Sequence, residues 1–153
     1  MSSPRRDSGF TLIEVPVTVT LLGVLMASSI SGWSSWSKAR QQSGTASELQ
    51  STLRQTQQRA VTEGTAMCVT FTSITYTVSR GSCASSPPPA ANRVEGPVPA
   101  GRGVQIASGA FPLGVTFTAR GTSTDGLVTV TRTGSSQVYT LKVEGFTGRV
   151  SLA

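Results

Sequence analysis

An α+β fold, in which one long N-terminal helix precedes an antiparallel β-sheet domain, is the class that the 153-residue sequence predicts. Three observations carry it. Residues 10–33 are apolar or small apart from Glu14. Residues 34–63 contain no proline and set Trp36, Ala39, Ala46, Leu49, Leu53, Thr56 and Ala60 at spacings of three, four or seven, one face of a helix. Beyond Gly64 the texture changes to short runs of β-branched residues alternating with period two. A single helical stretch followed by strands argues for segregated elements.

The chain begins with a basic, polar leader, residues 1–9, carrying Arg5 and Arg6. The segment "FTLIEVPVTVTLLGVLMASSISGW", residues 10–33, follows and meets the roughly 20 residues needed to cross a bilayer. Lys38 is the first basic residue after it, so the positive-inside tendency puts the N-terminus in the cytoplasm and the rest of the chain outside. Trp33 and Trp36 sit where indoles favour a membrane interface. Glu14 is out of place there, because a carboxylate at the centre of a membrane helix costs about 2.5–3.5 kcal/mol and less toward an end. A secretory signal cut near "MASS", residues 26–29, leaves that carboxylate without a purpose. Pro16 removes an amide donor and predicts a bend close to the start of the helix.

Residues 34–63 are expected to continue the helix as an amphipathic segment, with Gly44 a weak spot and Gly64 a C-terminal cap. Residues 64–153 form the β-rich globular domain. Its strands are expected at 67–72, 74–79, 103–108, 113–119, 127–132, 136–144 and 148–153, with glycine- and serine-bearing turns that suit antiparallel meanders. The stretch "ASSPPPAANRVEGPVPAG", residues 84–101, has five prolines and little alternation, and reads as a loop. Cys68 and Cys83 bracket the first hairpin at its open end. In a chain exported to an oxidising compartment they are expected to pair as a structural disulfide.

Composition narrows function. With no histidine and only two cysteines, a histidine-based triad, a histidine-bearing zinc site and a four-cysteine cluster are all absent. The polar residues form no recognisable catalytic constellation, so the sequence predicts neither an enzyme nor a cofactor or metal site. Thirteen basic residues face seven acidic ones, and the surplus persists without the leader. Such a balance attracts nucleic acid, anionic lipid or acidic surfaces without choosing among them.

The motif "GFTLIEV", residues 9–15, behind a short basic leader, resembles the class III signal of type IV pilins and type II secretion pseudopilins. The resemblance implies a pilin-like fold, cleavage between Gly9 and Phe10 by a prepilin peptidase, methylation of the new amine of Phe10, and retention of the apolar helix. It also gives Glu14 a partner: in that family the equivalent carboxylate pairs with the N-terminal amine of a neighbouring subunit. Each charge is costly in lipid and less so together, so the pair would set the axial register between subunits. The implied product is a single-pass protein of the cytoplasmic (inner) membrane, its globular domain extracytoplasmic, assembled with other pilins or pseudopilins into a filament.

The second half narrows the family. "VTFTARGTSTDGLVTVTR" followed by "QVYTLKVEGFTGRVSL", within residues 113–152, resembles the C-terminal region of FimT/GspH-type minor pseudopilins. This implies a subunit at the tip or initiation complex of a type IV pilus-like or type II secretion filament. Some FimT-type pilins are implicated in DNA uptake for natural transformation through a terminal Gly-Arg-any-Arg motif. Gly148 and Arg149 match it, and Ser151 stands where the second arginine would be. Arg120, Arg132 and Lys142 are the candidates to supplement Arg149 on phosphates. DNA binding is the alternative reading and not the favoured one.

Overall fold

The computed structural model describes residues 12–83, 89–109, 111 and 113–152, the side chains of 29–35 excepted. The leader 1–9, the Gly9–Phe10 cleavage position and the side chain of Trp33 lie outside the described residues. The chain divides into two compact units, Met1–Ser37 and Lys38–Ala153. One helix, α1, spans Glu14–Glu63.

In the first unit, α1 opens with an acidic residue in its first turn, Glu14, which suits the positive end of the helix dipole. Pro16 also falls in this first turn, where an amide has no partner within the helix, so a proline is accommodated. Thr18, Thr20 and Ser28 turn their hydroxyls back onto the carbonyls of Val15, Pro16 and Val24 at 2.9, 2.7 and 2.9 Å. These bonds satisfy the hydroxyls within the helix itself.

In the second unit, the buried face of α1 is Gln42, Thr45, Ala46, Leu49, Thr52, Leu53, Thr56 and Ala60. The expected apolar face is correct from Ala46 onward, but Ala39 is exposed and Trp36 half exposed. Polar residues open the buried face instead. The Gln42 side-chain amide donates to the carbonyls of Val130 and Gln137 at 3.2 and 2.7 Å, and so ties the helix to β6 and the segment before β7. The helix ends at Gly64, which adopts φ +64°, while the Thr65 amide donates to the Ala60 carbonyl at 3.2 Å. That six-to-one bond is the Schellman pattern, and it depends on glycine.

Eight strands follow: β1 Met67–Phe71, β2 Thr75–Arg80, β3 Arg93–Pro99, β4 Val104–Ala107, β5 Val115–Phe117, β6 Gly126–Arg132, β7 Tyr139–Val143 and β8 Val150–Leu152. They form two antiparallel four-stranded sheets of order β3-β2-β1-β5 and β4-β6-β7-β8. The meanders are β1-β2-β3 and β6-β7-β8. The two strands between them cross, β4 joining the second sheet and β5 the first. Alternate residues point inward, Val128 and Val130 from β6, Leu141 and Val143 from β7, Val115 and Phe117 from β5, and they pack with Leu49, Leu53, Met67, Tyr76 and Phe111 in one core.

The expected loop 84–101 is corrected in part. Residues 84–88 lie outside the described set, but Arg93–Pro99 is strand β3. It pairs with β2 through Thr75–Pro99, Tyr76–Val98, Val78–Glu95 and Ser79–Arg93, with register shifts around the cis Gly96–Pro97 bond. Prolines are tolerated there because β3 is an edge strand interrupted by a bulge.

Because strand direction alternates, the second unit has two ends. The turn 72–75, the connection 99–104 and the loop 132–139 share the end where the chain enters from residue 38. There Gly101 donates its amide to Thr45 Oγ1 at 3.2 Å, and Ile106 donates to the Ser73 carbonyl at 2.9 Å. The α1–β1 junction and the loops 118–125 and 143–150 share the opposite end.

Candidate functional site

The N-terminal candidate is Glu14, exposed on α1. Leu12 and Ile13 precede it, and Val15, Val17, Val19, Leu21, Leu22, Val24, Leu25 and Met26 follow on the helix, each more than half exposed. One carboxylate thus stands on an apolar helix surface that the described residues leave uncovered. Its expected partner, the amine of Phe10, lies outside the described residues. Among the described residues no helix is long and apolar enough to cross a membrane; the expected span 10–33 includes residues 10 and 11 and side chains 29–33 that lie outside them.

The cysteines are joined, Cys68 to Cys83, with Cα atoms 5.4 Å apart. Both are buried. Cys83 lies three residues past the end of β2, and its amide donates to Thr116 Oγ1 at 3.0 Å, so the bridge fastens the chain leaving β2 onto β1 and β5.

The four basic candidates do not form one cluster. Arg120 and Arg149 lie on neighbouring loops at the end opposite the chain entry. Gln57 of α1 holds those loops together, donating its side-chain amide to the carbonyls of Gly121 and Thr147, both at 2.9 Å. Gly148 is buried at φ +63°, and a Cβ there would collide with the Gln57 amide and the Gly121 carbonyl. The glycine of the Gly-Arg pair is therefore demanded by packing. The Arg149 side chain is exposed, and its amide donates to Thr147 Oγ1 at 3.2 Å.

Lys142 is exposed on β7 and pairs in register with Ser151 of β8, so Ser151 and Arg149 follow it along the same outer face. Its ammonium lies 4.0 Å from Glu144, and Asp125 lines the same groove of about 650 Å³ beside the exposed Phe146. Two carboxylates thus stand where a phosphate backbone would have to approach. Arg132 stands apart, at the far end of β6, paired with Val104, with its Nε and Nη1 buried and without a hydrogen-bond partner among the described residues. Sequence reading missed Gln57 and Gly121, because their roles rest on contacts between residues more than sixty positions apart.

A polar cluster locks α1 to the first sheet. The Tyr76 hydroxyl donates to Glu48 Oε1 at 3.0 Å and lies 3.3 Å from Thr52 Oγ1. Burial, with a smaller contribution from the Glu48 carboxylate, pushes the Tyr76 hydroxyl up to about 12, against the hydrogen bond with Thr52. This arrangement is structural. Among the described residues no group of histidine, cysteine, aspartate or glutamate could hold a metal ion.

The family described as type II transport protein GspH matches residues 45–147, and the prokaryotic N-terminal methylation motif matches residues 4–30. Among curated protein sequences none matches. Solved structures similar in fold include the type IV minor pilin FimU of Pseudomonas aeruginosa in two crystal forms. One has 21% identity over 72% of this chain and 91% of FimU, with TM-score 0.56. The other has 19% identity over 77% and 92%, with TM-score 0.60. The minor pseudopilin EpsH from the Type 2 Secretion System of Vibrio cholerae is similar at 13% identity over 71% of this chain and 92% of EpsH, with TM-score 0.53.

Proposed function

Because the chain belongs to the GspH family of type II transport proteins, we propose that it works as a minor pilin or pseudopilin at the tip or initiation complex of a type II secretion or type IV pilus-like filament. A prepilin peptidase removes residues 1–9 at the cytoplasmic face, the amine of Phe10 is methylated, and residues 10–33 stay as the anchor in the inner membrane. The 38–153 domain lies outside. Its work is association with other pilins, not catalysis.

The observation that carries this reading is Glu14, a single carboxylate on the uncovered apolar surface of α1. Lipid can cover the apolar side chains, but only a positive group offsets the cost of the carboxylate within the apolar layer. The amine of Phe10 on a neighbouring subunit supplies that charge and fixes the stagger between helices. Glu14→Ala should therefore preserve membrane insertion and abolish crosslinking to partner pilins in cells. Undiminished crosslinking with normal filament function would reject the reading.

A further inference from the structure

We propose that the end of the 38–153 domain at which the chain enters is a docking surface for anionic lipid headgroups, built from Lys38, Arg102 and Arg132. The proposal rests on reading residues 10–33 as a membrane anchor.

Three remote segments bring these cations to one end. Lys38 lies one helical turn before Gln42, which bonds the Val130 and Gln137 carbonyls. Arg102 follows Gly101, whose amide donates to Thr45 Oγ1 at 3.2 Å and whose Cα packs beside Thr45, Gln41 and Val104. Arg132 pairs with Val104, and the next amide, Thr133, donates to the Gly103 carbonyl at 3.0 Å. Lys38 and Arg102 are exposed.

The charged side chains of the segments gathered at this end are of one sign. No aspartate or glutamate occurs in residues 38–47, 99–107 or 130–140. On the helix the next carboxylate is Glu48, which accepts the Tyr76 hydroxyl bond. The opposite end is mixed, with Glu63 on Arg80 at 2.9 Å and Glu144 near Lys142 at 4.0 Å. The part of the Arg132 guanidinium that is buried meets no acceptor among the described residues.

Anionic lipid is the occupant that this placement favours. Lys38 follows the apolar segment by five residues, so the chain tethers this end close to any bilayer that holds that segment, and the segments gathered there contribute Lys38, Arg102 and Arg132 and no acidic side chain. Basic residues beside a membrane anchor are drawn to anionic lipid, each worth about a fivefold change in association, and the attraction is screened by salt. A nucleic acid would satisfy the same charges but has no reason to be held at this end of the domain.

The test uses the full chain reconstituted into phosphatidylcholine vesicles with or without phosphatidylglycerol, read by hydrogen exchange in the loops 101–103 and 133–137. Exchange there should be about fivefold slower with phosphatidylglycerol. High salt and the variant Lys38→Gln/Arg102→Gln, which alters only exposed side chains, should each remove the difference. Flotation of the protein with both vesicles but equal exchange in both would overturn this proposal and leave the anchor reading standing. Failure to float with either would overturn both. Equal slowing by duplex DNA added to protein in neutral vesicles would reassign the surface to nucleic acid and overturn the lipid proposal.

Discussion

Gly148 lies so close to the carbonyl of Gly121 that no side chain fits between them, and Gln57 closes the junction from the helix side. The junction joins α1 to the two loops that carry Arg120 and Arg149. Gly148→Ala should destabilise the 38–153 domain by about 2–4 kcal/mol, because it combines a left-handed backbone with a steric collision. Gly134→Ala also has a positive φ but meets open space, and should cost only about 1–2 kcal/mol. Urea denaturation of both variants checks this, and equal losses would refute the packing argument.

The incomplete terminal motif predicts how the domain treats DNA. Arg149→Ala should leave any weak retention on duplex DNA unchanged, since Glu144 and Asp125 stand near Lys142 on that side. Ser151→Arg places a second cation opposite Lys142 and two residues from Arg149, and should create binding that weakens as salt rises. Low-micromolar binding by the unaltered domain at physiological salt, lost in Arg149→Ala, would reverse the ranking in favour of a DNA-binding subunit.

The Cys68–Cys83 bridge closes a separation of 15 residues and should contribute about 3 kcal/mol by restricting the unfolded chain. The double variant Cys68→Ala/Cys83→Ala should lose about that much in urea. Peptide mapping without reduction should find the two cysteines linked in exported protein. Freely alkylated thiols there would contradict an oxidised domain.

Tyr76 gives the domain an alkaline limit. Its hydroxyl is raised from near 10 to about 12 in the folded state, so its stabilising contribution is complete below pH about 10 and is lost as pH rises through about 12. Tyr76→Phe removes the bond to Glu48 and the contact with Thr52. It should cost about 1–2 kcal/mol at neutral pH while flattening the loss between pH 10 and 12. A variant with the unaltered alkaline profile would show that another group sets the limit.

How much of this was legible in the sequence depends on the range of the interactions. Alternation in 127–132 and 136–144 is local, and the strands Gly126–Arg132 and Tyr139–Val143 form there, the second shorter than expected. The strand Arg93–Pro99 escaped because its prolines and Gly96 erase alternation; only pairing with β2 reveals it as a bulged edge. Gln42 and Thr45 escaped because a search for apolar spacing passes over polar residues that are buried to satisfy distant backbone groups. The basic candidates could be named but not grouped, since register alone separates Arg132 from Lys142 and sets Ser151 opposite the latter.

The proposed processing and retention of the helix are tested most directly by the intact mass of the mature protein extracted from membranes. The account predicts a chain that begins at N-methylated Phe10 and keeps Glu14 and the whole apolar segment. A mature terminus near Ser28 would remove Glu14, and with it the subunit-to-subunit pairing on which the assembly role depends.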